Sequence, residues 1–323
     1  MNEINGLLLV KTIIVYIYPF LSLIGVVSNI LSFIIFSRKK FQNTIFSTYF
    51  RCLVTFDTLT ISLLINKFFE LNFNIYFRDF SNELCKFRYY FIYSVFPISG
   101  WTLVLISIDR FMNISFPNKF LFIKRVKFQF SMCFFVLGFN LAYYFPNLFY
   151  YIKVNVVLNN STNQTIMTYK CTNPGIPIEW MDMIESTLLP FICMLLFTSL
   201  TIILLFRSRK KSTLNNSNKL IRRKDLRFAL TSITLNFVFF LLNLPYGILS
   251  LTNMYNQDLS KNKDLYQLIS SLFYLLTFSN SATVFFINLA VNSMFRNEFM
   301  RLIQKKSISN PSETIISNIK SHK

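Results

Sequence analysis

The sequence is poor in charge and in histidine. Only 15% of its 323 residues are charged, whereas a soluble domain averages about 25%. Its single histidine, His322, stands near the end of the chain, and no metal-ligand or phosphate-loop spacing is visible. These shortages speak against a soluble domain and against an enzyme, because metal and phosphate chemistry require such spacings.

Long apolar segments occupy most of the chain, which is 53% hydrophobic with a mean hydropathy of +0.44. Seven of them reach the ~20 residues that cross a bilayer. We number them spans one to seven: 12–36, 45–69, 85–112, 128–151, 182–206, 226–253 and 265–292. We therefore expect an all-α membrane protein with a seven-helix domain over 12–292. No internal repeat is visible, which speaks against the duplicated architecture of many transporters.

Positive charge collects in alternate loops. With the N-terminus outside, the inner loops and tail hold 24 Lys or Arg and four acids, whereas the outer segments hold nine of each. This asymmetry follows the positive-inside rule, so the net charge of +19 indicates topology rather than nucleic-acid binding. Part of the basic surface can also attract anionic lipid. We expect a multi-pass plasma-membrane protein without a cleavable signal peptide.

The segments flanking the bundle are short. Residues 1–11 predict a brief outer N-terminus with no room for an outer binding domain, and 293–306 predict a basic amphipathic helix on the membrane surface. The tail 307–323 is polar, so we expect it to be disordered and open to kinases and arrestin. Its phosphorylation candidates are Ser307, Ser309, Ser312, Thr314 and Ser317.

Span three carries the most informative pattern. Cys85 and Arg110 are 25 residues apart, about 37 Å of α-helix, and a bilayer with its headgroups is roughly 40 Å thick. One helix therefore places Cys85 at one interface and Asp109-Arg110-Phe111 at the other. The pattern resembles the third helix of rhodopsin-like G-protein-coupled receptors, whose terminal triplet is Asp-Arg-Tyr. The resemblance implies a disulfide from Cys85 to the loop residue Cys171, on an oxidising face.

The resemblance extends over about residues 12–305. Gly25 to Asn29, Leu53 to Asp57, Pro190, Pro245, and Asn280-Ser281 followed by 292–296 resemble the family's motifs in order and at family spacing. The resemblance implies a receptor for an extracellular ligand that activates a heterotrimeric G protein by outward movement of span six.

A polar core is implied in the middle of the bundle. A carboxylate at mid-membrane is costly, so Asp57 is a functional candidate. In the family this Asp binds sodium through oxygen ligands. The matching residues here are Asn29, Asp57, Ser99, Asn280 and Ser281. The alternative is a hydrogen-bonded polar plug between the helices. Residues 284–288 at the end of span seven depart from the family's pattern, which weakens the prediction of a sodium site.

The switch at the inner end would involve Asp109, Arg110, Phe111 and Asp225. Asp225 stands twenty residues before Pro245, where the family places the acid that pairs with the span-three Arg. The alternative is a solvated acid among basic residues. We expect an Arg110–Asp225 pair that opens on activation.

Span six departs from the family's Cys-Trp-x-Pro. Its hinge residues are Phe239, Asn243 and Pro245, with Asn243 in place of the Trp. The proline still removes one backbone hydrogen bond and permits a kink.

Ligand classes can be narrowed by what is missing. Ile92 stands where amine receptors carry an Asp, and Phe278 where opsins carry the retinal Lys. The loop after span four reads as two β-rich runs around a turn. A hairpin there is common among peptide receptors of the family that this chain resembles, and an irregular glycosylated cap is the alternative. The same loop carries three glycosylation candidates, Asn159, Asn160 and Asn163.

We therefore favour a short, basic neuropeptide as the ligand. Asp182 and Glu185 are three residues apart, hence on one helix face, and with Glu179 and Asp258 could receive a basic end. Pairing with nearby lysines is the alternative. The other pocket candidates are Ile92, Tyr93, Phe96, Tyr246 and Tyr274. A lipid or small-molecule ligand stays open, and a channel or transporter is the alternative from another class.

Overall fold

The computed structural model describes residues 2–42, 47–73, 75–116, 119, 121–159, 164–172, 175, 178–211, 216–255 and 263–305. Within these ranges the chain is almost entirely helical. The α-helices are Asn2–Phe36, Lys39–Gln42, Ser47–Ser62, Leu64–Phe73, Asn82–Val95, Ile98–Ser115, Val126–Tyr143, Ile178–Asp182, Leu189–Lys211, Asn216–Tyr255, Lys263–Val291 and Ser293–Lys305. The first helix begins at Asn2, so the expected boundary between residues 11 and 12 is not a break in the backbone.

Seven stretches of the described chain are long and apolar enough to cross a membrane, which confirms the predicted seven-helix bundle. They are Val15–Phe36, Ser47–Phe73, Asn82–Ser115, Val126–Phe149, Trp180–Leu204, Leu230–Leu249 and Leu268–Val291. Large side chains such as Phe20, Phe134 and Phe135 stay 66–68% exposed on the outside of the bundle. Such a surface requires an apolar solvent, and lipid provides one.

Span three is not the single uninterrupted helix that its sequence predicts. It consists of Asn82–Val95 and Ile98–Ser115, separated by a turn at Phe96 and Pro97. Pro97 has no N–H to donate to the carbonyl four residues earlier, and its ring crowds that carbonyl. The backbone bonds from Phe96 to Ile92 and from Trp101 to Pro97, 3.0 and 3.1 Å, continue the helix on both sides.

Span five begins with a wide turn. Residues Met183–Leu188 form a π-helix before the α-helix Leu189–Lys211. Pro190 follows directly, and it lacks the N–H that an α-helical turn would direct to the carbonyl of Ser186. A π-segment rotates the side chains that follow it relative to an unbroken α-helix. Sequence spacing alone therefore does not decide which face these residues occupy.

The predicted hairpin is present between spans four and five. Strand β1, Tyr151–Asn159, pairs antiparallel with strand β2, Gln164–Thr172. Ile152 lies opposite Cys171 in this register. Cys171 is bonded to Cys85, with 5.7 Å between their Cα atoms, so the predicted disulfide is confirmed. It anchors the base of the hairpin to the start of span three.

Spans one and two approach each other closely at Gly25. A Cβ at this position would lie 2.5 Å from Cδ1 of Ile61. Glycine removes that obstacle, and the two helices pack in contact. At the C-terminal end of span one, Phe36 is fully buried and stacks on Phe50, with ring centroids 4.7 Å apart.

The terminal helix Ser293–Lys305 docks on the end of the bundle, at the position expected for the amphipathic helix. Phe295 is fully buried against Phe36. Glu298 binds Arg38, Lys40 and Arg301 at 3.2, 3.2 and 2.8 Å. Burial raises the pKa of Glu298, but the hydrogen bond and charge of Lys40, the charge of Arg301 and the hydrogen bond of Arg38 outweigh it. The net pKa of Glu298 lies below its ordinary value.

Candidate functional site

A cavity of about 200 Å³ lies at the Cys85 end of the bundle, meaning the end that contains Cys85 and the hairpin. It brings together six of the nine residues that the sequence suggested for a ligand pocket. These six are Ile92, Tyr93, Phe96, Asp182, Tyr246 and Tyr274. They come from spans three, five, six and seven, and span two adds Lys67 and Glu70, so five spans converge on the cavity. Its other lining residues are Lys67, Glu70, Arg78, Arg88, Tyr89, Thr277 and Phe278.

Aromatic rings form the walls and floor of this cavity. Tyr274 lies 4.5 Å from Phe278 and 6.0 Å from Tyr246, measured between ring centroids. Phe96 lies 5.6 Å from Phe278 across the bundle. Tilted and edge-on contacts at these distances are favourable. The rings therefore support one another and give part of the cavity an apolar lining.

The hairpin is fastened at the rim of the cavity. Tyr150, which precedes β1, stacks on the lining residue Tyr89 with centroids 4.3 Å apart. Asp79 Oδ1 accepts a bond from the backbone N–H of Cys171, 2.9 Å, and Asn82 Oδ1 accepts one from that of Ile152, 2.9 Å. These contacts and the disulfide hold the base of the hairpin at the mouth of the cavity.

Glu185 departs from the sequence prediction, because it does not line the cavity. Its side chain is 1% exposed and accepts bonds from Trp101 Nε1, 2.6 Å, and from the Tyr144 hydroxyl, 2.9 Å. The π-segment Met183–Leu188 directs it toward spans three and four. Asp182 does line the cavity, and its Oδ1 is 3.2 Å from the same Tyr144 hydroxyl.

The remaining ligand-site predictions fall on residues whose side chains lie outside the described part of the chain. They are Glu179, Asp258 and the glycosylation candidates Asn159, Asn160 and Asn163. The phosphorylation candidates of the tail lie outside it as well. These assignments stay predictions.

Midway along the bundle, Asp57 is buried and forms a hydrogen bond with the Ser99 hydroxyl of span three. Ser281 of span seven is close enough to interact with the same carboxylate. Asn29 donates to the carbonyl of Ser281 at 2.8 Å, and its own buried Oδ1 has no hydrogen-bond partner among the described residues. Asn280 is also buried, 8% exposed. Buried polar groups of spans one, two, three and seven thus lie together near Asp57, and a sodium ion bound there stays a prediction.

The hinge region of span six remains helical through Pro245. The Asn243 amide donates to the carbonyl of Phe239, 2.7 Å, within the same helix. Thr277 of span seven donates to the carbonyl of Leu242, 3.3 Å. Two carbonyls near the proline thus accept side-chain hydrogen bonds, and the carbonyl that Pro245 itself leaves without an N–H donor is that of Leu241.

The ring of Phe239 in span six packs against span three at Gly100, which has no side chain. A Cβ on Gly100 would lie 3.0 Å from Cζ of Phe239 and 3.4 Å from Cβ of Pro190. Gly100 thus allows spans three, five and six to meet at one level. The sequence analysis did not identify this glycine.

At the opposite end of span three, which we name the Arg110 end, Asp109 and Arg110 are 2% and 4% exposed. Asp109 Oδ2 accepts a bond from Asn113 one turn later, 3.0 Å, and Arg110 is near enough for its charge to act on Asp109. Phe111 contacts Phe197 of span five, 5.7 Å between centroids. The side chain of Asp225 lies outside the described residues, so the Arg110–Asp225 pair stays a prediction.

Asn236 joins three spans one turn from Arg110. Its amide nitrogen donates to the hydroxyls of Ser107 in span three and Thr198 in span five, both at 2.9 Å. The sequence analysis missed this residue. The sequence did contain a signal for Asn236, because an Asn in an otherwise apolar span is a candidate for an interhelical hydrogen bond.

A seven-helix membrane bundle with a lined cavity at one end and a buried Asp-Arg pair at the other is the architecture of a membrane receptor. The chain matches the family of 7 transmembrane receptors (rhodopsin family) over residues 28–283, and it belongs to that family. It is therefore a signalling receptor rather than an enzyme. A comparison with curated proteins found no significant match.

Proposed function

We propose that this receptor lies in the plasma membrane with its Cys85 end outside, binds a short peptide there and activates a heterotrimeric G protein at its Arg110 end. The observation that carries the proposal is the cavity of about 200 Å³ at the Cys85 end, with the hairpin fastened at its rim. The orientation follows from charge, because the loops and tail at the Arg110 end contain most of the Lys and Arg residues.

The size of the cavity favours a peptide. Sites that enclose a drug-sized molecule measure about 300–1,000 Å³. A volume of about 200 Å³ accommodates one large side chain or a chain terminus. The rest of such a ligand would lie against the hairpin and the rim, where backbone groups of an extended peptide find partners.

A panel of short peptides, applied to cells carrying reporters for several G-protein subtypes, tests the proposal. We expect a response that requires the receptor and that Tyr93→Ala weakens at equal surface level, since Tyr93 lines the cavity. Phe134→Ala is the matched control, because Phe134 lies on the lipid-facing surface and is 68% exposed. A response from Tyr93→Ala equal to that of the unaltered receptor would contradict this site.

The aromatic lining favours one other candidate function, a receptor for a lipid or small apolar molecule. A lipid library that activates the same reporters while every peptide fails would support it. A channel or transporter has less support, because Asp57 is a single carboxylate in mid-bundle. Receptor-dependent current without G protein would be its signature.

The core around Asp57 is the place where a sodium ion would bind, held by the Asp57 carboxylate and the Ser99 and Ser281 hydroxyls. Sodium should then raise the melting temperature of the purified receptor above its value in choline chloride. Asp57→Asn should remove the difference, since it removes the negative charge. Equal melting temperatures in both salts for the unaltered receptor would favour the polar plug.

A further inference from the structure

Three basic side chains converge on one buried carboxylate at the wall of the cavity. Glu70, at the Cys85 end of span two, has a side chain only 3% exposed. Lys67 lies 3.3 Å from it, Arg78 lies 3.7 Å from it, and Arg88 pairs with it directly. All four residues line the cavity.

The cluster holds more positive than negative charge. Lys67, Arg78 and Arg88 carry three charges against the one of Glu70. Asp79 is the second acid nearby, 3.7 Å from Arg78, but its Oδ1 also accepts the bond from Cys171. With Asp79 and with Asp182, which also lines the cavity, the acids equal the bases in number. A ligand is therefore favoured by hydrogen-bond donors rather than by net charge, because a buried cationic donor without an acceptor is costly and an anion from outside would relieve that cost.

Arg88 has one hydrogen-bond donor that Glu70 does not use. One of its terminal nitrogens is taken by Glu70, whereas the other, Nη1, is buried and has no hydrogen-bond partner among the described residues. A guanidinium presents its donors in a planar fork that matches a carboxylate. Lys67 is held beside it, with Nζ 5.6 Å from the centre of the Tyr274 ring.

We propose that the cavity binds a carboxylate attached to an apolar or aromatic group, with Arg88 and Lys67 as the residues that recognise the anion. The aromatic walls formed by Tyr93, Phe96 and Tyr274 take the apolar part. For a peptide this describes a C-terminal residue with a free carboxylate. The inference rests on the proposed ligand site, and it replaces the sequence-based expectation of a basic ligand, because Glu185 lies outside the cavity.

A matched pair of small probes tests the charge preference. N-acetyl-phenylalanine carries the carboxylate, and N-acetyl-phenylalanine amide has the same shape without the charge. A ligand that binds the folded receptor raises its melting temperature. With purified full-length receptor, we expect the acid to raise it at concentrations at least about tenfold lower than the amide, in keeping with the gain from a charge-assisted pair.

Two substitutions should move this preference in opposite directions. Arg88→Gln should abolish it, because it removes the fork. Glu70→Gln should strengthen it severalfold, because it removes the internal carboxylate that competes for the same cations. Arg51→Gln is the matched control, since Arg51 lines a different cavity with Phe33 and Phe130, and it should leave the preference unchanged. Lys67→Gln replaces Arg88→Gln if the latter does not fold.

Equal potency of acid and amide, or a preference that survives both Arg88→Gln and Lys67→Gln, would overturn the proposal. The measurement needs no G protein, so its failure is distinct from failure of the proposed signalling function. A receptor that prefers the acid but activates no reporter would contradict only the latter.

Discussion

Asn236 should hold span six against span three, so Asn236→Leu should raise ligand-independent signalling. Outward movement of span six separates Asn236 from Ser107 and Thr198 and breaks both of its 2.9 Å bonds. Interhelical hydrogen bonds within membranes average about 0.6 kcal/mol each. Two of them favour the closed arrangement by roughly 1 kcal/mol, which corresponds to about a five- to sevenfold shift in the ratio of closed to open receptor.

The assay is basal reporter activity at matched surface level, with leucine chosen because it keeps the branching of the asparagine side chain and removes its hydrogen-bonding groups. Thr234→Ala is the control, since Thr234 is partly buried and donates to the carbonyl of Leu230 within its own helix rather than to another span. We expect basal activity to rise severalfold for Asn236→Leu and to stay unchanged for Thr234→Ala. Basal activity of Asn236→Leu at or below that of the unaltered receptor would refute the role assigned to these bonds.

Three further outcomes are expected. Asp225→Ala should raise basal signalling at equal surface level, and unchanged activity would contradict the predicted pair with Arg110. Gly100→Ala should lower the melting temperature or activity of the receptor, because the added Cβ would press on Phe239. Overpacking of this kind costs about 1–3 kcal/mol. Gly138→Ala is the neutral control, because a Cβ at Gly138 would have nothing within 4 Å. Glu298→Gln should lower the melting temperature at pH 7. Since the pKa of Glu298 is lowered in the folded receptor, its stabilisation is full above the ordinary carboxyl pKa and is lost as pH falls through the lowered value. The melting temperatures of the unaltered receptor and of Glu298→Gln should therefore converge in acid. A difference that persists there would contradict the idea that the Glu298 charge stabilises the fold.

The number of spans, the position of the hairpin and the partner of Cys85 were all predictable. Twenty apolar residues can satisfy their backbone groups in a bilayer only as a helix, so hydropathy fixes each span without reference to its neighbours. The two β-rich runs predicted a hairpin, and the structure supplies its register, which pairs Ile152 with Cys171. The disulfide followed from resemblance to the family rather than from spacing.

Proline placement was visible in the sequence, but its consequences were not. Pro97 interrupts span three, whereas Pro245 leaves span six continuous and Pro190 follows a π-segment. Each outcome depends on which neighbouring groups can serve the carbonyls that the proline leaves without a donor. Pro245 leaves the carbonyl of Leu241 without a donor, and Thr277 on span seven donates to the neighbouring carbonyl of Leu242.

The tertiary structure alone decided which side chains point into the bundle. A helix that is apolar on all sides carries no stripe that marks its inner face. The inner face is therefore chosen by packing, and packing directed Glu185 to Trp101, Asn236 to Ser107, and Arg88 to Glu70. The sequence alone determined that this chain is a seven-helix receptor. Which of its few polar side chains meet inside the bundle, and hence the charge of its ligand cavity, depended on how the seven helices are rotated against one another.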